Sequence, residues 1–105
     1  MTRRAVVLNL PEAKFQRQVI ELAETLGWAI RHNADSRRTQ AGEPDLELLR
    51  GATMLRWELK TDTGVVKPAQ EAYIDRLNMV RFVYASVIRP HDMETIADTL
   101  RRAAR

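Results

Sequence analysis

The run Pro44-Asp45-Leu46-Glu47-Leu48-Leu49-Arg50-Gly51-Ala52-Thr53-Met54-Leu55-Arg56-Trp57-Glu58-Leu59-Lys60 decides how this chain is read. Asp45–Arg50 and Met54–Lys60 are strand-like, and Arg50-Gly51-Ala52-Thr53 between them has the length and composition of a hairpin turn. Alternate residues of a strand share a face, so Leu55, Trp57 and Leu59 form an apolar side, and Met54, Arg56, Glu58 and Lys60 form the other. If the register is antiparallel about Gly51, Asp45 and Glu47 join that second side. Asp45, Glu58 and Lys60 then converge.

Two oxygen donors on neighbouring strands suit a hard cation such as Mg²⁺, which keeps several waters and shares its site with a phosphate. Such an ion would polarise a phosphodiester and lower the pKa of a bound water, with Lys60 orienting that water or offsetting charge that develops on the phosphate. A Glu-x-Lys pair on a strand is, by itself, more often a surface ion pair. The weight comes from the conjunction: Gly42-Glu43-Pro44-Asp45-Leu46, eleven residues, Glu58-Leu59-Lys60-Thr61, then Gly64 and Gln70.

Towards the N-terminus, Pro11 opens a segment in which Phe15, Val19, Leu22, Ala23 and Leu26 recur at helical spacing until Gly27. Trp28 to Ala34 reads as a strand, and Asn33 to Gly42 has the composition of a polar loop. His32, Ser36, Arg37 and Arg38 lie just before the hairpin, where hydroxyl and guanidinium donors reach DNA phosphates; the plain alternatives are a solvated loop and a structural histidine.

Towards the C-terminus, Thr61 to Gly64 is turn-like, and Pro68 takes the first position of a helix with Ala69, Tyr73, Leu77 and Val80 on one side. Phe82 to Ile88, bounded by Arg89-Pro90, is rich in β-branched and aromatic residues and reads as a buried strand. Asp92 and Glu94 introduce a last helix with Met93, Ile96, Ala97 and Leu100 inward and arginines at its end, matching the helix dipole. The element order is α-β-β-β-α-β-α, an α/β arrangement.

A chain of 105 residues is one domain, 1–105, with a single core. It has no cysteine, which excludes disulfides and thiolate metal sites, and no apolar run of membrane-spanning length. The expected location is the cytoplasm. The net charge of +3 is concentrated in Arg3, Arg4, Arg101, Arg102 and Arg105; without these five, acidic side chains outnumber basic ones, so overall basicity says little about DNA.

On these motifs the chain resembles the PD-(D/E)xK nuclease superfamily, and within it the stand-alone VRR-NUC domains of phages and bacteria, relatives of Holliday-junction resolvases. The resemblance runs from Glu12-Ala13-Lys14-Phe15-Gln16 and Leu26-Gly27-Trp28, through His32, Asp35-Ser36-Arg37 and the hairpin, to Gln70 and Arg89-Pro90. It implies a restriction-endonuclease-like mixed sheet flanked by helices. It also implies a Mg²⁺- or Mn²⁺-dependent DNA endonuclease that leaves 5′-phosphate ends and extends to branched DNA such as four-way junctions, in a bacterial or phage-infected cell.

By the same resemblance Asp45 and Glu58 are the metal-binding acids, with the Leu59 carbonyl as a further ligand and Lys60 serving the attacking water. Glu12 corresponds to the first-helix acid, although a carboxylate at a helix N-terminus is favoured in any case and Glu21 and Glu24 compete for the role. Gln70 corresponds to the helix glutamine near the metal. Two positions depart from the pattern. Glu43 stands where an apolar residue is usual, as a further ligand or a source of repulsion towards phosphate, and Lys67 stands where a hydroxyl residue would cap the helix, a loss of about 1 kcal/mol. Cutting both strands of a symmetric junction calls for two sites, hence an expected homodimer. The alternatives are a DNA-binding module that keeps the scaffold without the chemistry, and an α/β interaction domain with a solvated charged face.

Overall fold

The structure, a computed structural model, describes residues 10–33 and 41–102. The elements in chain order are α1 (Glu12–Thr25), β1 (Ala29–His32), β2 (Leu46–Arg50), β3 (Thr53–Leu59), α2 (Pro68–Leu77), β4 (Val83–Ile88), a 3₁₀ turn (Pro90–Asp92) and α3 (Met93–Arg102). The four strands form one sheet in the order β1-β2-β3-β4. β1, β2 and β3 are antiparallel neighbours, and β4 runs parallel to β3 after the α2 crossover.

The hairpin register pairs Arg50 with Thr53, leaving Gly51 and Ala52 as a two-residue turn. Gly51 has φ 55°. A residue with positive φ at the first central position is what the type II′ hairpin turn requires, and glycine adopts it without steric cost. From that turn Leu46 falls opposite Trp57 and Leu48 opposite Leu55, so the apolar residues of both strands share one side.

That side is the core. Leu46, Leu48, Leu55, Trp57 and Leu59 pack against Phe15, Val19 and Ala23 of α1 and Ile96 and Leu100 of α3. Each large side chain buried here contributes about 1.5–3 kcal/mol. The i, i+4, i+8 spacing of Phe15, Val19 and Ala23 keeps them on one stripe of α1, as the periodicity predicts. The Trp28 indole N–H donates to the Leu100 carbonyl at 3.2 Å, tying α3 to the start of β1.

The opposite side is polar but not open. Arg56 and Glu58 are only 5% and 4% exposed, so β3 is covered on both sides. The α2 helix supplies the cover together with the loop at 41–44, and it does so differently from expectation: none of its residues is buried, and Val80 lies beyond its end, half exposed. Its inward side carries Gln70 and partly exposed Tyr73, Ile74 and Leu77 because what it covers is charged.

β4 is likewise not the buried strand its composition suggests. Among the described residues it is an edge strand, paired with β3 alone, and Tyr84 is 56% exposed. Residues 82 and 88 give their carbonyls to the β3 ladder, so Ala85 turns its backbone groups outward. There the Asn78 side chain takes both: its Oδ1 accepts the Ala85 N–H at 2.7 Å and its Nδ2 donates to the Ala85 carbonyl at 2.9 Å.

No helix among the described residues is long and apolar enough to cross a membrane.

The loop before β2 rides directly on the first turn of α2. Gly42 has φ +86°, and a Cβ there would stand 2.2 Å from the Ala69 carbonyl oxygen. Gly42→Ala should therefore destabilise the fold by about 2–5 kcal/mol, from the left-handed backbone and the clash together. Urea unfolding checks this, and a change under ~1 kcal/mol would mean that the loop has room to move.

Candidate functional site

The site begins just ahead of β2. The chain bends at Asp45, after buried Pro44, and Asn33 secures the bend from the β1 side: its N–H donates to the Asp45 carbonyl at 2.9 Å and its side-chain amide to the Pro44 carbonyl at 3.0 Å. The β2–β3 pairing stops at Leu46 with Trp57, and one further step in the same register sets Asp45 opposite Glu58. Asp45 then does with its side chain what the ladder no longer does: Oδ2 accepts the Leu59 N–H at 3.1 Å. A hydrogen bond to a carboxylate is stronger than the neutral bond it replaces and fixes Asp45 beside Glu58.

Glu58 is held from two sides. Its Oε2 accepts the Gln70 side-chain N–H at 2.9 Å and lies 3.5 Å from the Lys60 ammonium. The Gln70 amide cannot turn over without loss, because its Oε1 accepts the Lys67 backbone N–H at 2.9 Å. Gln70 thus satisfies the N-cap N–H, the reciprocal half of a capping box, while it also grips Glu58. Burial, followed by the repulsion of Asp45, pushes the Glu58 carboxyl up to about 7; Lys60 opposes this, and Glu12 adds a smaller repulsion.

Of the residues singled out in the sequence, Asp45, Glu58, Lys60 and Gln70 are brought together. Glu12, in the first turn of α1, lies close enough for its charge to be felt at Glu58. His32, at the end of β1, meets Gln16 of α1, whose side-chain nitrogen is 2.7 Å from Nε2 of the ring. Ser36, Arg37 and Arg38 lie outside the described residues.

Glu43 has a partner of its own. Its Oε1 pairs with the Arg56 guanidinium at 2.9 Å, and the Arg56 side chain is 7% exposed. Buried arginines require a carboxylate. The signal lies in Arg56 standing two residues before Glu58 on a covered face, but alternation alone leaves that face in solvent. Arg56 Nε is buried without a hydrogen-bond partner in the structure. The Asp62–His91 contact and the grip of Arg89 on the Thr61 carbonyl also have no sequence signal, since they join residues 29 and 28 positions apart.

Among the described residues no three His, Cys, Asp or Glu side chains gather into a metal cage. Asp45 and Glu58 offer two neighbouring carboxylates, and burial with the Asp45 charge makes the Glu58 anion costly there. That donor set fits a hard, largely hydrated dication such as Mg²⁺, which is held through one or two carboxylates and a phosphate. It does not fit a tightly enclosed structural metal.

No family model matches the sequence, and no curated protein matches it. A search of solved structures finds a chain described as "VRR_NUC domain protein", with a TM-score of 0.69 over 91% of this chain and 89% of that one, at 23% identity. The chain has the VRR-NUC fold. In this fold, with its four-stranded mixed sheet flanked by helices, Asp45 and Glu58 sit on the side of the sheet opposite the core.

A carboxyl with a raised folded-state pKa binds its proton more tightly when folded than when unfolded. Its contribution to stability is present at low pH and is lost as pH rises from about 4.5 through about 7. The structure should therefore weaken across that window by up to roughly 3 kcal/mol in the absence of divalent ions. Glu58→Gln should flatten this slope and raise stability at pH 8. Thermal unfolding in chelator at several pH values checks it, and an unchanged slope in the variant would assign the effect elsewhere.

Proposed function

We propose that this protein is a divalent-metal-dependent endodeoxyribonuclease that hydrolyses phosphodiester bonds. The observation that supports the reading most is the Asp45–Glu58–Lys60 arrangement, in which two neighbouring carboxylates and one ammonium face one point on a sheet of VRR-NUC fold. Buried charges of like sign are costly, and a fold retains them where a cation and a phosphate are to meet.

In this reading Asp45 and Glu58, with Glu12 and the Leu59 carbonyl as further oxygens, would hold Mg²⁺ or Mn²⁺. The bound ion would supply Lewis-acid polarisation of the phosphate and a water of lowered pKa. Lys60 orients the attacking water and offsets charge on the non-bridging oxygens. Gln70 keeps Glu58 turned towards the site; its amide has one acceptor and one donor engaged, so the carboxylate has one favoured rotamer. The segment at 36–38 and His32 would grip the DNA backbone.

Attack in line at one strand leaves the other intact, so action on a four-way junction would use two copies of the chain related by a two-fold axis. Branched DNA and the homodimer belong to this proposal.

The test uses labelled duplex, single-stranded, flap and four-way-junction DNA with and without Mg²⁺ or Mn²⁺. Metal-dependent cleavage of at least one substrate is expected, and Lys60→Ala should reduce it on the order of 100-fold or more while leaving the unfolding midpoint within a few degrees. Salt-sensitive binding without metal-dependent product would instead identify a DNA-binding module on this scaffold.

A further inference from the structure

Lys60 stands just past the end of β3, and its N–H, donating to the Ile88 carbonyl at 3.1 Å, makes the final β3–β4 contact of the sheet. Nothing in the ladder fixes the chain beyond it, yet the Lys60 side chain has to return to Glu58. A lysine has a four-carbon stem with rotamer freedom to lose, so where its ammonium rests depends on how its backbone is held.

The backbone is held from the turn after β4. The Thr61 carbonyl accepts the Arg89 guanidinium at 2.7 Å, as well as the Gly64 N–H at 3.2 Å. The Asp62 side chain is 1% exposed. Its Oδ1 accepts the His91 backbone N–H at 3.1 Å and lies 2.8 Å from Nδ1 of the same residue. The receiving turn is itself braced: Asp92 Oδ2 accepts the Arg89 N–H at 2.9 Å, and Asp92 Oδ1 stands 3.2 Å from His91 Nε2. Residues 61 and 62 are thus clamped to residues 89 and 91 by three contacts, immediately downstream of Lys60.

We infer that Asp62 is a positioning residue for Lys60: its buried carboxylate, seated on His91, together with Arg89 on the Thr61 carbonyl, fixes the backbone from which the ammonium reaches Glu58. A carboxylate enclosed to this degree needs such donors, and here they come from a turn far away in sequence but adjacent in the sheet. The consequence for catalysis rests on the nuclease reading; the consequence for the Lys60 side chain does not.

Two readouts separate these. In metal-free protein labelled with ¹⁵N-lysine, the Lys60 ammonium resonance, slowed in exchange by its contact with Glu58, should be visible in the wild type and lost in Asp62→Ala. With Mg²⁺ and labelled DNA, the same variant should lose ~10-fold or more in kcat with KM for DNA within about twofold, the pattern of an interaction used in the transition state alone. Asp62→Asn keeps an oxygen for the His91 N–H and should recover most of both. If Asp62→Ala fails to fold, Arg89→Ala, which removes the guanidinium from the Thr61 carbonyl and keeps the Arg89 N–H bond to Asp92, carries the same expectations. Retention of the Lys60 resonance, or a kcat within twofold of wild type, in whichever variant folds would overturn the inference. A wild type that cuts no substrate would sink the nuclease reading alone, with the lysine spectrum still deciding the positioning role.

Discussion

A one-residue slip in the β2–β3 hairpin would undo both the core and the site, because a strand's side chains alternate between its faces. The slip is prevented by the two-residue turn at Gly51 and Ala52 and by the leucines on either side of it. With the observed register, Leu46, Leu48, Leu55 and Trp57 meet α1 and α3, and Asp45 and Glu58 meet each other. The apolar side thereby places the polar side. The force that drives collapse is non-directional, but the pleat makes it specify which carboxylates become neighbours.

This register creates a local conflict. The hairpin that is favoured by its apolar face forces two acids together in a place that α2 and the loop at 41–44 shield from water. The fold answers with directed donors: the Leu59 N–H on Asp45, the Gln70 amide and the Lys60 ammonium on Glu58. The answer is incomplete, as the Glu58 pKa of about 7 records. Burial is the larger part of that rise and the Asp45 charge the smaller, so the cover that α2 provides sets the carboxyl's charge as much as its neighbour does.

Much of this is legible in the residues themselves. The hairpin, its register and the convergence of Asp45, Glu58 and Lys60 follow from alternation and one turn, and the helices α1 and α3 follow from periodicity, because each of these signals is local. The features that escape are those set by what lies above or beside an element. Arg56 and Glu58 have the alternation of a half-exposed strand, but α2 covers them; β4 has the composition of an interior strand, but among the described residues it pairs with β3 alone. Glu43 reads as a companion of Asp45 because it is two residues away, whereas its carboxylate pairs with Arg56. Long-range pairings such as Asp62 with His91 leave no periodic trace in a single sequence.

The amide of Asn78 imitates a fifth strand for the length of one residue, using the outward N–H and C=O of Ala85. A neighbouring chain approaching β4 finds its central docking groups already engaged, and would have to evict a side chain anchored at the end of α2 before a continuous sheet could form. The sheet is thereby discouraged from growing at this edge by a single amide that lies far from the hairpin and the acids it aligns.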